Sequence, residues 1–367
     1  MKVSIVGGGN AGVLTALYWS WYGQDEVELI YNPEILPERV GQATLLDPPK
    51  MLWNAFGFNW YNNNINATMK SGILYEGFGK VNDKVFHDFA ANKMAMHYCP
   101  WEMQRQILNS GLFNVIESSV EDVNNVDSDL IFDCRGKPDD YSDYAELLNP
   151  TNACILAKPN WDTTKALWSR HVATPDGWTF VIPTHTTSPS NDYCVGYCYN
   201  SNITSKEDAE KNMLEMFDVE ITKHVNYKNY VAKNPVIDDR IVLNGNRLFF
   251  LEPMESSSTE TYVEVTRYVS NYGCKGLSNK VGEYIKCLQY FILWHYQFGS
   301  KYDTPFWNYA KSLRFIDPKF DAILRKSKTM GWHDLKLDGE RDDVPSYGQW
   351  NPYAFKLWYE GMTKKGK

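Results

Sequence analysis

Residues 1–12 read MKVSIVGGGNAG, an apolar run followed by three spaced glycines. The run contains Val3, Ile5 and Val6 and is typical of a buried parallel strand. The glycines give the pattern G-x-G-x-x-G, after which residues 13–21 continue as an apolar-rich helix. A strand, a glycine-rich turn and a helix in this order predict a dinucleotide site, with the phosphates bound by free N–H groups at the helix N-terminus. A strand–turn–helix unit without a ligand is the alternative interpretation.

Each glycine of this pattern has a separate predicted task. Gly7 permits the tight turn, Gly9 lets the backbone approach a pyrophosphate, and Gly12 lets helix and strand pack closely. Asn10 and Ala11 lie between them and complete the candidate cofactor-binding residues of this turn. Because NAD domains are often placed later in a chain, the N-terminal position favours FAD.

The second strand is predicted at residues 27–30, which read VELI. In many dinucleotide folds a carboxylate after this strand binds the ribose. Here Tyr31 and Asn32 follow the strand, and Glu34 lies nearby. The sequence therefore leaves the ribose contact open.

The composition limits the classes of function. The 367 residues are enough for a large core, which we interpret as one FAD fold with an interleaved second lobe. A net charge of −8, without a basic run before the last residues, argues against a nucleic-acid partner. The 13 Trp, 24 Tyr and 17 Phe residues fit either a plain large core or an aromatic-lined pocket for a flat substrate.

Cysteine usage and hydropathy predict a cytoplasmic protein. The seven cysteines follow no regular framework, which is typical of a reducing compartment. Cys194 and Cys198 lie four residues apart without a second pair or a histidine cluster, so no metal site is predicted. The N-terminus lacks a basic leader and no apolar run approaches about 18 residues, so we expect neither a signal peptide nor a membrane-spanning segment.

The following segments alternate between loops, strands and helices. Residues 41–44, reading GQAT, form a small-residue loop where the backbone could lie against an isoalloxazine ring. Residues 69–75 are predicted as a strand that carries Lys70, for which a solvated lysine at a strand edge is the simpler interpretation. A helix is predicted at 101–110 and a short strand at 119–123.

A buried strand at 129–136 ends in the pattern D-x-x-G, which begins at Asp133. In many FAD domains this strand returns the chain beside the first strand, near the cofactor. A strand followed by an ordinary turn fits the same residues. A second sheet is predicted from residues 177–183 and 192–199, where alternation places Trp178, Phe180 and Ile182 on one face.

The later part of the chain is predicted to be mainly helical. Either Thr204 or Ser205 caps a helix that ends near Phe217. Helices dominate from about residue 260, including an aromatic-rich one near 283–298. Before them, residues 251–258 place two carboxylates and three serines around a proline, which suits a site loop better than a core. Exposed capping residues are the alternative interpretation of this loop.

Taken together, these segments resemble the flavin-dependent halogenases of the tryptophan-halogenase type. The most specific segments are 177–183, which is similar to that family's W-x-W-x-I-P, and 251–256, which is similar to its L-E-P-L-E-S. The resemblance runs in order from residue 1 to about residue 259. The segments that carry it are 7–12, 41–44, 69–75, 133–136, 177–183 and 251–256.

The resemblance implies an α/β architecture (α+β overall), in which a GxGxxG FAD-binding Rossmann-type domain is interleaved with a substrate-side β-sheet lobe. A helical C-terminal region completes it. The FAD-binding part is predicted at 1–45, 111–160 and 236–275, the substrate-side lobe at 46–110 and 161–235, and the helical region at 276–367.

The resemblance also implies a reaction. Reduced FAD from a separate flavin reductase reacts with dioxygen to give a flavin hydroperoxide, and a halide (chloride, bromide or iodide) attacks it to give hypohalous acid. The halide is expected near Ser256 and Ser257. Lys70 then holds the hypohalous acid by a hydrogen bond or as a haloamine beside an electron-rich aromatic substrate. Glu255 stabilises the cationic ring intermediate or accepts its proton, and Ser256 links Lys70 to the flavin end of the tunnel.

The remaining site residues follow from the same resemblance. His87 is expected on the substrate side, with a purely structural histidine as the alternative. The tunnel wall is predicted to contain Trp178, Phe180, Ile182 and Pro183. Further cofactor-binding candidates are Gly41, Gln42, Ala43, Thr44, Asp133 and Gly245.

The sequence departs from the family pattern at four positions near the expected flavin or tunnel. Phe180 replaces the second Trp of W-x-W-x-I-P, Gln42 a Glu, Arg135 a small residue and Phe249 a Gly. Gln42, Arg135 and Phe249 leave an inactive flavin-binding protein as an alternative. A flavin-dependent aromatic monooxygenase, which forms the same hydroperoxide, is the other alternative. The chain is shorter than the tryptophan-specific enzymes, so free tryptophan is not assigned as substrate, and a homodimer or higher oligomer is left open.

Overall fold

The structure is a computed structural model that describes residues 1–23, 25–37, 40, 42–44, 47–89, 95–334 and 346–366. The strands are β1 (Lys2–Val6), β2 (Glu26–Tyr31), β3 (Gln42–Ala43), β4 (Thr68–Lys70), β5 (Gly72–Glu76), β6 (Lys84–Asp88), β7 (Ala95–Tyr98), β8 (Asn114–Glu117), β9 (Leu130–Asp133), β10 (Tyr144–Glu146), β11 (Ala153–Pro159), β12 (Ser169–Thr174), β13 (Gly177–Val181), β14 (Val195–Tyr199), β15 (Val219–Asn226), β16 (Tyr230–Ala232), β17 (Val236–Ile237), β18 (Ile241–Leu243) and β19 (Phe249–Phe250). The helices are α1 (Asn10–Tyr22), α2 (Asp47–Phe56), α3 (Pro100–Leu108), α4 (Lys206–Met216), α5 (Ser258–Tyr272), α6 (Leu277–Gln297), α7 (Pro305–Ser312), α8 (Pro318–Thr329) and α9 (Pro352–Thr363).

The N-terminal strand lies inside a six-stranded sheet of order β17-β18-β9-β1-β2-β8. All neighbouring pairs in it are parallel except β17 with β18. Ile5 pairs with Leu29 on one side and Phe132 on the other, and all three side chains are buried. This sheet, with helices α1 and α5 in contact beside it, confirms the predicted α/β class.

The predicted strand at 119–123 is wrong. The edge strand is β8, five residues earlier at Asn114–Glu117, and Val123–Asn125 forms a short 3-10 turn. The Asp122 carboxylate accepts a hydrogen bond from the Asn124 N–H at 2.9 Å. Such a capping contact competes with strand pairing, which explains why these residues form a turn and not the predicted strand.

The second large sheet has seven strands in the order β15-β11-β14-β13-β12-β5-β6. It is antiparallel apart from the β12–β5 pair. Strand β11, which the domain prediction grouped with the dinucleotide part, pairs here with β14 and β15. The predicted strand at 192–199 begins at Val195, because Asn191–Tyr193 forms a 3-10 turn.

The predicted strand at 69–75 is two strands that belong to different sheets. Strand β4 ends at Lys70 and pairs with β7, whereas β5 begins at Gly72 and joins the seven-stranded sheet. Between them, the Ser71 N–H leaves the ladder and donates to the carbonyl of Leu167 at 2.6 Å. Lys70 therefore lies at a junction between two sheets, and its side chain is 1% exposed.

The glycine turn has the close approaches that its sequence predicts. Gly7 adopts a φ of +115°, and a Cβ there would lie 2.4 Å from the carbonyl oxygen of Cys134. A Cβ on Gly12 would lie 1.8 Å from the Gly7 oxygen, so α1 packs directly against the strand end. A Cβ on Gly9 would meet nothing within 4 Å, and this side of the turn is open.

The helices follow the predicted order with shifted ends. Ser205 caps α4, since its hydroxyl accepts from the Asp208 N–H at 3.1 Å. The aromatic-rich helix is α6, which begins six residues before the predicted start. Gln104 of α3 donates to the Gly8 carbonyl at 2.6 Å and so fixes the glycine turn. None of the described helices is long and apolar enough to cross a membrane.

We expect Gly12→Ala to destabilise the fold and Gly9→Ala to leave it nearly unchanged. The new methyl group at residue 12 overlaps the Gly7 carbonyl and should lower the free energy of unfolding by about 2–3 kcal/mol. At residue 9 the methyl group has space, so a change below about 1 kcal/mol is expected. Urea unfolding of both variants measures the difference, and equal stabilities would contradict this account of the turn.

Candidate active site

Two adjoining cavities extend from the glycine turn into the molecule. The smaller, about 310 Å³, is lined by residues 7–11, the end of β2 and residues 134–136. The larger, about 550 Å³, extends to the loop before α5. Both are lined by Leu36, Pro37, Asn246 and Tyr262, which therefore mark where they meet.

The predicted cofactor residues of the turn differ in their placement. Gly7, Gly9, Asn10 and Ala11 line the smaller cavity, whereas Gly12 packs against the strand end. The open side of Gly9 gives a phosphate room to approach the backbone and the N-terminus of α1. These features, and a second cavity that adjoins the first, fit an extended dinucleotide such as FAD.

The end of β2 supplies no carboxylate to this cavity. Tyr31 and Asn32 line it instead, as the sequence indicated. The Tyr31 hydroxyl donates to Glu117 at the end of β8 at a distance of 3.1 Å. A carboxylate of the neighbouring strand thus lies beside the position where dinucleotide folds usually place one from β2.

Asp133 does not itself line either cavity. Its carboxylate accepts hydrogen bonds from Arg135, with Nε–Oδ1 and Nη2–Oδ2 distances of 2.9 Å, and from Arg247 at 3.3 Å. Arg135 and Gly136 line the smaller cavity. Asp133 therefore holds Arg135 at the cavity wall, where the family pattern has a small residue.

The other predicted cofactor residues divide between lining and support. Ala43 lines the larger cavity, whereas the Thr44 N–H donates to Met96 and fixes β3 on β7. Gln42 pairs through its backbone with Tyr98. Gly41 lies outside the described residues.

Gly245 supports the cavity wall without lining it. It adopts a φ of +64°, and a Cβ there would lie 2.5 Å from Cβ of Ala11. The next residue, Asn246, lines both cavities.

The predicted tunnel residues take two positions. Phe180 and Ile182 line the larger cavity. Pro183, the next residue in the sequence, is buried. Trp178 is fully buried, and its indole N–H donates to Glu252 at 3.2 Å.

Phe249 does not line the larger cavity, since its ring packs against Tyr262. Phe250 and Leu251 line the cavity in its place. The large side chain that replaces a family glycine is thus directed into the core.

Lys70 is connected to the larger cavity through one hydroxyl group. Its Nζ donates to Ser256 Oγ at 2.9 Å, and Ser256 lines the cavity. The same Nζ lies 5.3 Å from the ring centroid of Phe89. Burial lowers the pKa of Lys70 to about 7, although the charge of Glu255 acts in the opposite direction. The solvated-lysine interpretation is therefore wrong.

Ser256 is held in a strained backbone conformation. Its φ is +53°, a left-handed value that residues with a Cβ rarely adopt. The neighbouring Ser257 is buried, and its carbonyl accepts hydrogen bonds from the Thr261 N–H at 3.0 Å and Gln349 at 3.3 Å. Ser256, Ser258 and Thr259 line the cavity, whereas Ser257 does not.

Glu255 is buried at the centre of a donor network. Its Oε1 accepts from the Tyr75 hydroxyl and lies 2.7 Å from His295 Nε2, and its Oε2 accepts from the Trp350 indole N–H at 3.2 Å. His87 Nδ1 lies 3.9 Å from Oε1. The structure thus brings the predicted residue His87 beside Glu255.

The contacts of His295 fix the protonation of this pair. Its Nδ1 lies 2.7 Å from the Phe291 carbonyl, which can only accept, so Nδ1 carries a proton. Its Nε2 lies 2.7 Å from Oε1 of Glu255, so one further proton is shared between the imidazole ring and the carboxylate. Burial by itself raises the pKa of Glu255, but the hydrogen bond and charge of His295 lower it to about 2.

Glu252, three residues earlier, has the opposite electrostatics. Its carboxylate accepts hydrogen bonds from Thr151, Trp178 and Tyr296, the last at 2.8 Å. None of these donors carries a charge, and burial raises the pKa of Glu252. Both glutamates are buried, so the interpretation of this loop as exposed capping residues is wrong.

Sequence reasoning missed several residues of this network. His295 and Trp350 come from the C-terminal third of the chain, and Tyr75 from β5. The only available signal for His295 was a single histidine between two aromatic residues in an apolar helix. His171 lines the larger cavity, and burial lowers its pKa well below the usual value.

Comparisons with known proteins agree with this geometry. The sequence profile of the tryptophan halogenase family matches residues 2–109 and 102–332. The tryptophan 7-halogenase RebH of Lentzea aerocolonigenes is 24% identical over 220 residues, which are 54% of this chain and 41% of RebH.

Two solved structures share the fold along almost the whole chain. The tryptophan 6-halogenase SttH from Streptomyces toxytricini has a TM-score of 0.77 at 17% identity, covering 100% of this chain and 91% of that chain. Xcc4156, a flavin-dependent halogenase from Xanthomonas campestris, has a TM-score of 0.74 at 16% identity, covering 98% and 94%.

The chain belongs to the tryptophan halogenase family, which confirms the resemblance found in its sequence. Its aligned part spans less than half the length of the curated relatives that it matches. The fold and family are therefore shared, whereas activity and substrate need an argument from this chain's own residues.

We expect the stability of the protein to rise with pH relative to a Lys70→Met variant between about pH 7 and pH 10. With the pKa of Lys70 lowered to about 7 in the folded state, the unfolded state binds more protons in this window. Stability therefore rises with pH through this window, because unfolding takes up a proton at Lys70 and becomes less favourable as protons become scarcer. Urea unfolding of both proteins at several pH values measures the difference. If the free energy of unfolding depends on pH in the same way in both proteins, the pKa of Lys70 is not lowered in the folded state.

We expect Glu255→Gln to be destabilising and Glu252→Gln to be nearly neutral or stabilising at pH 7. The low pKa of Glu255 contributes stability above its unfolded value, and this contribution is lost as the pH falls toward 2. Loss of the charged pair should cost about 1–3 kcal/mol. The raised pKa of Glu252 means that its ionised form is held at a cost. Urea unfolding at pH 7 and pH 4 tests both, and a Glu252 variant equally destabilised would contradict this contrast.

Proposed function

We propose that the protein halogenates an electron-rich aromatic small molecule. Reduced FAD, dioxygen and a halide ion are the co-reactants, and a separate flavin reductase supplies the electrons. Membership of the tryptophan halogenase family supports this proposal, together with the placement of Lys70, Ser256 and Glu255.

The observation that carries the proposal is the hydrogen bond from Lys70 Nζ to Ser256 Oγ at 2.9 Å. Ser256 also lines the larger cavity, so its hydroxyl lies between the cavity and the buried amine. A buried ammonium is a strong donor that can polarise the oxygen of hypohalous acid. With a pKa of about 7, Lys70 also has its neutral amine form accessible near neutral pH, as haloamine formation requires.

The N-terminal end of α5 is the proposed halide site. Ser258 and Thr259 line the cavity there, and the first N–H groups of a helix bind anions favourably. The Thr259 hydroxyl is buried and has no hydrogen-bond partner among the described residues. A halide at this position would accept its hydrogen bond. The halide site expected at Ser256 and Ser257 is thus extended by two residues into α5, to Ser258 and Thr259.

When bound, reduced FAD supplies with dioxygen the oxidising equivalent that converts the halide to hypohalous acid. The residues of the chain then decide where the halogen goes. Lys70 retains it on the far side of Ser256, and Phe89 lies 5.3 Å from the amine, where an aromatic substrate can stack. His87 lies on the same side, near Glu255.

Glu255 is assigned as the stabiliser of the cationic ring intermediate. Its pKa of about 2 makes it a weak base, so charge stabilisation suits it better than proton abstraction. His295 is assigned as its positioning residue, because its contact with Oε1 orients the carboxylate and lowers the pKa of Glu255. The substrate class follows from this cationic intermediate, which an electron-rich ring forms most readily.

The test is a mass-spectrometric turnover assay with a flavin reductase, NADH, FAD and air. Indoles, phenols and anilines are offered with chloride, bromide or iodide, and catalase removes free peroxide. We expect a halogenated product that falls at least 100-fold in Lys70→Ala, while oxygen consumption driven by NADH continues. The exposed Lys80 provides the control variant Lys80→Ala, which should keep full activity.

Other outcomes of this assay would overturn the proposal. Hydroxylated product without halogen incorporation would identify a monooxygenase. A purified protein that shows no flavin absorption after incubation with FAD would identify a chain that has lost its cofactor site. Halogenation that persists in Lys70→Ala would remove the lysine from the mechanism.

A further inference from the structure

Two cysteines lie side by side in the wall of the larger cavity. Cys154 of β11 and Cys198 of β14 are directly paired across neighbouring antiparallel strands. Both line the cavity of about 550 Å³ that also contains Ser256. The sequence had drawn attention to Cys194 and Cys198, but the neighbour of Cys198 in the sheet is Cys154.

Backbone hydrogen bonds show which kind of pair this is. The Ile182 N–H donates to the carbonyl of Cys194 at 2.9 Å, so the backbone groups of Cys194 are directed toward β13. Every second residue of a strand has the same direction, so the backbone groups of Cys198, four residues later, are also directed toward β13. The Tyr199 carbonyl is directed the other way and accepts from Asn152 at 3.0 Å, next to β11. Cys154 and Cys198 are therefore a non-hydrogen-bonded pair.

This geometry suits a disulfide. In non-hydrogen-bonded antiparallel pairs the Cα atoms lie about 4.5 Å apart and the side chains are close. Disulfides form at Cα separations of about 4.4–6.8 Å, so closure needs little backbone movement. The two thiol groups also interact with each other directly.

We propose that Cys154 and Cys198 are an oxidant-sensitive dithiol that hypohalous acid in the cavity converts to a cross-strand disulfide. This inference rests on the proposed function for the source of the oxidant. Its effect is to consume oxidant that is not retained beside Lys70, in a wall that also contains the oxidisable ring of Tyr227.

The reaction balances without any further reactant. One sulfur attacks the halogen of hypohalous acid, which gives a sulfenyl halide and water. The second thiol displaces the halide, forms the S–S bond and releases a proton. Two thiols are oxidised by two electrons, and one hypohalous acid is reduced to halide and water.

The environment selects this oxidant over peroxide. Burial raises the pKa of Cys198 well above the usual value, so its thiolate is scarce. Hydrogen peroxide reacts with the thiolate form, whereas hypohalous acid also oxidises neutral sulfur. Cys274 is the matched comparison, because it is half-buried and lies outside the cavity lining.

The experiment adds one equivalent of hypochlorite or hypobromite to the full chain and maps thiols by alkylation and non-reducing digestion. We expect a peptide linked through Cys154 and Cys198, which a dithiol reductant cleaves. The same concentration of hydrogen peroxide should give at least 10-fold less of it. The linked peptide should be absent in Cys154→Ser and retained in Cys274→Ser.

A second arm separates this inference from the proposed function. Turnover with reductase, NADH and bromide, but without aromatic substrate, should accumulate the linked peptide, and more of it in Lys70→Ala. If added hypohalite links the pair but turnover does not, the dithiol site is supported and this protein is not the source of hypohalous acid. If added hypohalite oxidises Cys274 or methionines and leaves Cys154 and Cys198 free to alkylate, the inference is wrong.

Discussion

The buried ammonium group of Lys70 is the constraint on which the rest of the site depends. A lysine at 1% exposure loses most of its hydration, and it is tolerated here only because Ser256 accepts its hydrogen bond and Glu255 lies near enough for its charge to act. Holding the Ser256 hydroxyl in place requires a left-handed backbone at a residue with a side chain. The strained backbone at Ser256, just before α5, therefore holds the hydroxyl group that accepts the hydrogen bond of the buried ammonium. It also brings the hydroxyl to the cavity wall, where a polar link to the amine is needed.

The two glutamates of the loop before α5 divide the work of holding this arrangement. Glu252 accepts hydrogen bonds from neutral donors, one of which is Trp178 of β13, and so joins the loop to that strand. Glu255 lies 2.7 Å from Nε2 of His295 and joins the loop to α6. The pKa of Glu252 is raised, whereas the pKa of Glu255 is lowered. The negative charge of the site is therefore concentrated at Glu255. The proposed cationic intermediate would need its stabilisation at that end.

Sequence reasoning predicted candidate site residues where a local pattern marks them. The glycine turn and the loop 251–258 were marked by residue pattern and by the family resemblance, whereas Lys70 was marked by the resemblance alone. Residues of the turn and of the loop line two adjoining cavities, and Lys70 is connected to the larger one through Ser256. Sequence reasoning failed where the contacts join residues that are distant along the chain. His295 lies 40 residues from Glu255, and Trp350 lies 95 residues from it. Nothing local to either residue indicates a partner so distant along the chain.

What the sequence by itself determined is the backbone chemistry of the glycine turn, the parallel strand that precedes it and the family to which the chain belongs. These are local: a missing Cβ or an apolar run has the same meaning wherever the chain goes. Only the tertiary structure decided the charge state of the site and the pairing of Cys154 with Cys198. Those depend on burial and on which strands become neighbours. The pKa of Lys70 falls because two sheets meet around it, and no property of residues 69–75 contains that information.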